Sequence, residues 1–212
     1  MPGDQLQRSL RTLRRLSQPG YAQRKNPGAV APPEVNKNIS SAQPPGISPR
    51  PAGLSPAVAI VGFSNCGKTE LICRLLSLAR ERGYRVAAVK HSHKTPEVDT
   101  PGKDTWRFRQ AGAQAVALAA PGLLQVTLTM PTDPAIAAVL AALPDNLDFV
   151  LVEGYKGSTL PKIVFLAGRD LPGYENTLAF ISEAPVATHL PVFSRDQVPA
   201  ILDFILQWLQ GQ

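Results

Sequence analysis

The chain of 212 residues has only two cysteines, Cys66 and Cys73. They form no CxxC pair, and no group of His and Cys residues has zinc-ligand spacing, so the sequence offers neither a disulfide framework nor a structural zinc site. A reducing, cytoplasmic compartment is the expectation. No apolar run approaches the roughly 18 residues that a membrane-spanning helix needs. The start lacks the continuous apolar stretch of a secretory signal. There is no internal repeat.

The surplus of positive charge is confined to one end. Residues 1–55 carry eight basic side chains (Arg8, Arg11, Arg14, Arg15, Arg24, Lys25, Lys37 and Arg50) against Asp4 and Glu34, a surplus of six. The whole chain is also +6, so residues 56–212 are neutral. A basic nucleic-acid-binding face on that body is not indicated. Residues 17–56 are rich in Pro, Gly, Ser, Asn and Gln and cannot bury enough apolar surface to offset their ordering entropy. Residues 1–55 therefore read as a disordered basic tail. Within it, Leu6, Leu10, Leu13 and Leu16 fall at helical spacing between arginines, a short basic amphipathic helix candidate.

The body, 56–212, is long enough to bury a good core. An apolar strand, Ala57–Val61, precedes an amphipathic helix over 68–82. In that helix Ile72, Leu75, Leu76 and Ala79 share a face, Glu70 and Arg74 stand at pairing distance, and Gly83 suits the C′ position. Further strands are expected at 85–89, 149–152, 163–166 and 177–181. A hairpin is expected around Pro121-Gly122, with strands at 115–119 and 123–129. Helices are expected at 104–111 and 133–143, and a last one near Ser194, which could cap it, with Pro199 in its first turn. This alternation predicts an α/β fold with a largely parallel sheet flanked by helices.

The strongest chemical signal is Gly62-Phe-Ser-Asn-Cys-Gly-Lys-Thr69, which matches G-x-x-x-x-G-K-[ST] between a strand and a helix. Gly62, Ser64, Asn65, Cys66 and Gly67 supply a phosphate-binding loop whose backbone N–H groups form an anion nest, aided by the helix N-terminus. Lys68 brings a point charge to the terminal phosphates. The Thr69 hydroxyl suits Mg²⁺. Glu153 ends the run Phe149–Val152, at the carboxyl edge of the sheet, where it can hold the metal or its water. Lys90-His-Ser-His93 ends the second strand and is followed by Asp99, Lys103 and Asp104. His91 and His93 would share a face of an extended segment, which suits a structural or substrate contact better than a two-histidine metal site. Asp99 is either an orienter of metal-bound or attacking water or a solvated loop carboxylate. Cys66 reads as an ordinary loop residue, and Arg107 and Arg109 as solvated.

Taken together, GFSNCGKT, VKHSH, VDTPGKDTWRFRQAGA and LVEGYK resemble the molybdopterin-guanine dinucleotide biosynthesis protein B family over about residues 56–210. The resemblance implies a P-loop NTPase-like fold, GTP and Mg²⁺ as ligands, weak GTP hydrolysis and a homodimer. It implies an accessory role in attaching GMP to molybdopterin, with the molybdenum cofactor guanylyltransferase as partner and molybdopterin as a further candidate ligand. By position, residues 62–69 would bind phosphates, Thr69, Asp99 and Glu153 would surround Mg²⁺, and Lys68 and Asp99 would serve hydrolysis. Lys94 stands where some relatives have a third histidine, and Glu183 where an aspartate is common. The body has no N-K-x-D motif, so guanine preference rests on the resemblance. The alternative is a small-molecule kinase or ATP-dependent ligase on the same scaffold, against which the lack of a lid-like arginine cluster counts.

Overall fold

The computed structural model describes residues 54–94, 98–168 and 170–211. The basic tail and its candidate helix therefore lie outside the described residues. The described residues form two compact units: one holds those of 54–91 and 136–211, and the other those of 92–135.

The first unit is a six-stranded sheet in the order β2-β5-β1-β6-β7-β8. Its strands are β1 (Ala57–Val61), β2 (Val86–Lys90), β5 (Phe149–Glu153), β6 (Lys162–Phe165), β7 (Thr177–Ile181) and β8 (Val192–Phe193). Every pairing is parallel. β1, β6 and β7 are buried along their whole length, so apart from Lys162 and Thr177 at the first positions of β6 and β7 their sequences are apolar without alternation. Alternate residues still divide between two cores. Val58, Ile60, Phe149, Leu151, Ile163 and Ile181 pack beneath α1 (Lys68–Glu81) and α4 (Val198–Gln210). Ala59, Val61, Val150, Val152, Val164 and Phe180 pack on the other face with Leu140 of α3 (Ile136–Ala141).

α1 ends as its sequence requires. Gly83 has φ 84°, its N–H bonds Arg80 O, and the Tyr84 N–H bonds Ala79 O, which is a Schellman closure. Where the sequence pairs Arg74 with Glu70, the structure has Arg74 donating to Asp196 Oδ1 at 2.7 Å. Together with Arg82–Asp203, this ties α1 to α4 and the turn before it. Ser194 is not the cap of α4. Its N–H bonds the Gln197 side chain at 2.8 Å and its hydroxyl accepts from Asp196 N–H, so this turn delays the helix to Val198. α3 spans Ile136–Ala141, shorter than the expected 133–143; Asp133 is kept out of it because the ring of a following proline disfavours the α region for the residue before it.

Two polar features brace the sheet. At the start of β2 and β5, Arg85 N–H and guanidinium donate to Asp148 at 2.6, 3.3 and 3.0 Å, and Asp148 N–H returns a bond to Arg85 O. Burial opposes the Asp148 charge, but the Arg85 hydrogen bonds and charge outweigh it and hold the carboxyl below its ordinary pKa. Lys162 is fully buried, and its ammonium donates to the carbonyls of Ser158, Leu160 and Glu175 at 2.5, 2.9 and 3.0 Å. Burial pushes its pKa down, and the Glu175 charge opposes that.

The second unit contains α2 (Asp104–Gln110) packed on an antiparallel hairpin of β3 (Ala115–Ala120) and β4 (Leu123–Leu128). The expected hairpin is present, turning at Gly122 with φ 76°. Register places Ala115, Ala117 and Ala119 opposite Leu128, Val126 and Leu124, which makes one face wholly apolar. Much of that face is exposed: Leu124 is 54% and Val126 37% accessible.

Candidate functional site

The loop 62–69 leaves β1 and enters α1 directly. Gly62 is buried with φ 149°, and a side chain there would put Cβ 2.7 Å from Phe165 Cβ and 2.9 Å from Phe165 O. Glycine is thus required by both the backbone and the packing of β6. Asn65 (φ 59°) and Gly67 (φ 96°) also take positive φ, which turns successive amides. Gly67 N-caps α1 without a side-chain hydrogen bond, and the first helical turn starts with Leu71 N–H to Gly67 O. The initial N–H groups of a helix lack intrahelical partners, so this end attracts an anion.

The side chains of the loop are arranged around its mouth. The Lys68 ammonium donates to Phe63 O and lies 3.6 Å from Cys66 Sγ. Ser64 and Asn65 are exposed at the tip. Lys156 Nζ stands 5.6 Å from the centroid of the Phe63 ring, within cation–π range. A cavity of about 160 Å³ adjoins Gly67, lined by Glu70, Leu71, Arg74, Arg195 and Asp196. Glu183 accepts from Arg195 N–H at 3.1 Å and stands 3.9 Å from its guanidinium, beside this cavity wall.

Thr69 and Glu153 meet. Because β1 and β5 are neighbours with Ile60 opposite Glu153, the carboxylate arrives beside the loop, and Thr69 Oγ1 donates to Glu153 Oε2 at 2.7 Å. Lys90, opposite Glu153 on β2, completes the group: its Nζ is 3.3 Å from Glu153 Oε1 and 3.4 Å from Thr69 Oγ1. Sequence reasoning noted the Lys90 motif only for its histidines. The signal that would have found the lysine is its place at the end of a strand adjoining the one that Glu153 ends.

His91 plays a packing part in this unit. Its ring stacks on Tyr155 with centroids 4.2 Å apart, its N–H bonds Glu153 O, and its Cβ lies 3.0 Å from where a Gly154 side chain would start. Gly154 (φ 99°) and Tyr155 (φ 52°) make the sharp turn that this needs. His93, Asp99, Lys103 and Asp104 belong to the second unit. There, Asp99 is not a solvated carboxylate. Its side chain is 6% accessible and accepts from Arg109 at 2.9 Å, so Arg109 is engaged as well.

Residues 57–182 match the family model described as molybdopterin guanine dinucleotide synthesis protein B. The chain is similar to the probable molybdopterin-guanine dinucleotide biosynthesis adapter protein of Bacillus subtilis (strain 168), at 37% identity over 74% of this chain and 95% of that one. It is 30% identical to the molybdopterin-guanine dinucleotide biosynthesis adapter protein of Escherichia coli (strain K12), again over 74% of this chain and 95% of the relative. Among solved structures, that of Bacillus subtilis MobB is similar with a TM-score of 0.59 and 32% identity, over 74% of this chain and 99% of that one. On these matches, the chain belongs to the molybdopterin guanine dinucleotide synthesis protein B (MobB) family.

Proposed function

We propose that this protein is a GTP-binding adapter that assists attachment of GMP to molybdopterin and hydrolyses GTP slowly. The observation that carries the reading is the convergence of Thr69 and Glu153 at the mouth of a glycine-shaped loop that opens onto a helix N-terminus. A hydroxyl and a carboxylate are hard oxygen donors, the set that suits Mg²⁺. Thr69 and Glu153 would hold the ion, and when bound it neutralises charge on the β- and γ-phosphates. Lys68 adds a charge-assisted donor to those phosphates.

The relatives' naming as adapter proteins supports the adapter role, and the groups of the site are consistent with it. Its groups serve phosphate and a divalent cation, which supports binding of a nucleoside triphosphate and slow water attack on the terminal phosphate. Joining GMP to a pterin phosphate is different chemistry, with attack at the α-phosphate and loss of pyrophosphate. A separate guanylyltransferase would perform that step, and the relatives' naming as adapter proteins supports this division of labour. GTP binding would then favour the state that docks on the partner, through differential affinity between states. The apolar hairpin face supports a homodimer, since exposed apolar patches of this kind mark interaction surfaces.

Reconstitution with purified guanylyltransferase, molybdenum-loaded molybdopterin, Mg²⁺ and GTP tests the reading. Stimulation of dinucleotide formation that disappears with Lys68→Ala is expected. Dinucleotide formation by this protein alone would refute the adapter role.

A further inference from the structure

Lys90 does more than end β2. Its ammonium contacts Glu153 Oε1 at 3.3 Å, Glu153 Oε2 at 3.4 Å and Thr69 Oγ1 at 3.4 Å. Lys90 and Glu153 are register partners on adjacent parallel strands, so the backbone, and not a chance side-chain reach, sets this approach. The two side chains differ in freedom: Glu153 is 14% accessible and Lys90 62%. The carboxylate is fixed, and the ammonium can leave it through solvent.

The oxygens that the ammonium touches are the donors that a divalent cation would use. A lysine ammonium is a compact point charge on a flexible stem, and it cannot share these donors with a doubly charged ion at such distances without strong repulsion. We propose that Lys90 is the resident counter-ion of this cation site. It neutralises Glu153 before nucleotide binds, yields that position to Mg²⁺, and then joins Lys68 as a second ammonium on the terminal phosphate. The proposal rests on the reading of Thr69 and Glu153 as the Mg²⁺ site. Its consequence is coupled binding. Mg²⁺ alone must displace a cation into water, whereas Mg²⁺ with a nucleoside triphosphate offers the displaced ammonium a new anionic partner.

The test titrates Mn²⁺, detected by its paramagnetic resonance, into the nucleotide-free full-length protein. Lys90→Met is expected to bind Mn²⁺ about tenfold or more tighter than wild type, because one repelling charge is gone. Lys90→Arg, which keeps the charge, is expected to stay near wild type. With Mg²⁺ present, Lys90→Met is expected to weaken GTP more than GDP, since only GTP carries the terminal phosphate. Unchanged or weaker Mn²⁺ binding by folded Lys90→Met overturns the proposal. Glu153→Gln separates the two levels. If it abolishes the Mg²⁺ dependence of GTP binding while Lys90→Met leaves Mn²⁺ binding unchanged, the metal site stands and the counter-ion role falls. If Glu153→Gln leaves that dependence intact, the metal-site reading falls and takes the counter-ion role with it.

Discussion

Thr69 Oγ1 and Glu153 Oε2, 84 residues apart in sequence, are joined by a 2.7 Å hydrogen bond. The contact exists because β1 pairs in parallel with β5, which places the loop after one strand beside the last residue of the other. Ligand sites of open parallel sheets form at this carboxyl edge.

Thr69→Ala and Glu153→Gln are each expected to reduce the Mg²⁺-dependent part of GTP binding or hydrolysis more than the Mg²⁺-independent part. Titrations with Mg²⁺ and with EDTA measure both parts. Wild-type Mg²⁺ dependence in both variants would mean that the metal is held elsewhere.

Gly62→Ala is expected to destabilise the fold by about 2–6 kcal/mol. It combines strained positive φ, of order 1–3 kcal/mol, with overpacking against Phe165, typically 1–3 kcal/mol. Urea unfolding measures this, and an unchanged midpoint would show that the loop backbone can shift away from β6.

Asp148→Asn is expected to cost about 1–2 kcal/mol at neutral pH, a charge-assisted hydrogen-bond loss discounted for partial exposure. The sign with pH follows from the lowered carboxyl pKa. The contribution of Asp148 is full above the ordinary carboxylate range and fades as pH falls through its folded value. The melting-temperature gap between wild type and variant should therefore shrink in acid. A gap that is constant with pH would assign the effect to packing.

Leu124→Glu on the apolar face of the hairpin is expected to convert a homodimer to a monomer, read by sedimentation or light scattering. A monomeric wild type, or a variant that keeps its dimer mass, would place the self-association surface elsewhere.

Much of the fold was legible because local signals agreed with tertiary ones. Ala57–Val61 is apolar throughout because both faces of β1 are covered, and Gly83 stops α1 because only positive φ closes its last turn. β8 was missed since two residues carry no period. The late start of α4 depends on which of several local side-chain bonds its first turn makes, and the Arg74–Asp196 pair on a contact formed across the fold. The loop and Glu153 were legible as candidates from motif and strand edge. Lys90 and the three carbonyl acceptors of Lys162 were not, since strand order and loop return decide what those ammonium groups meet. Asp99 read equally as solvated or functional, and only the folded second unit reveals its buried pairing with Arg109.

Calorimetric titration of GTP and of ATP into wild type and Lys68→Ala, with Mg²⁺ present, tests the central claim most directly. Wild type is predicted to bind GTP in preference to ATP, and folded Lys68→Ala to bind GTP at least roughly tenfold more weakly, the loss of a charge-assisted phosphate bond. No GTP binding by wild type, or an unchanged dissociation constant in folded Lys68→Ala, would contradict the account.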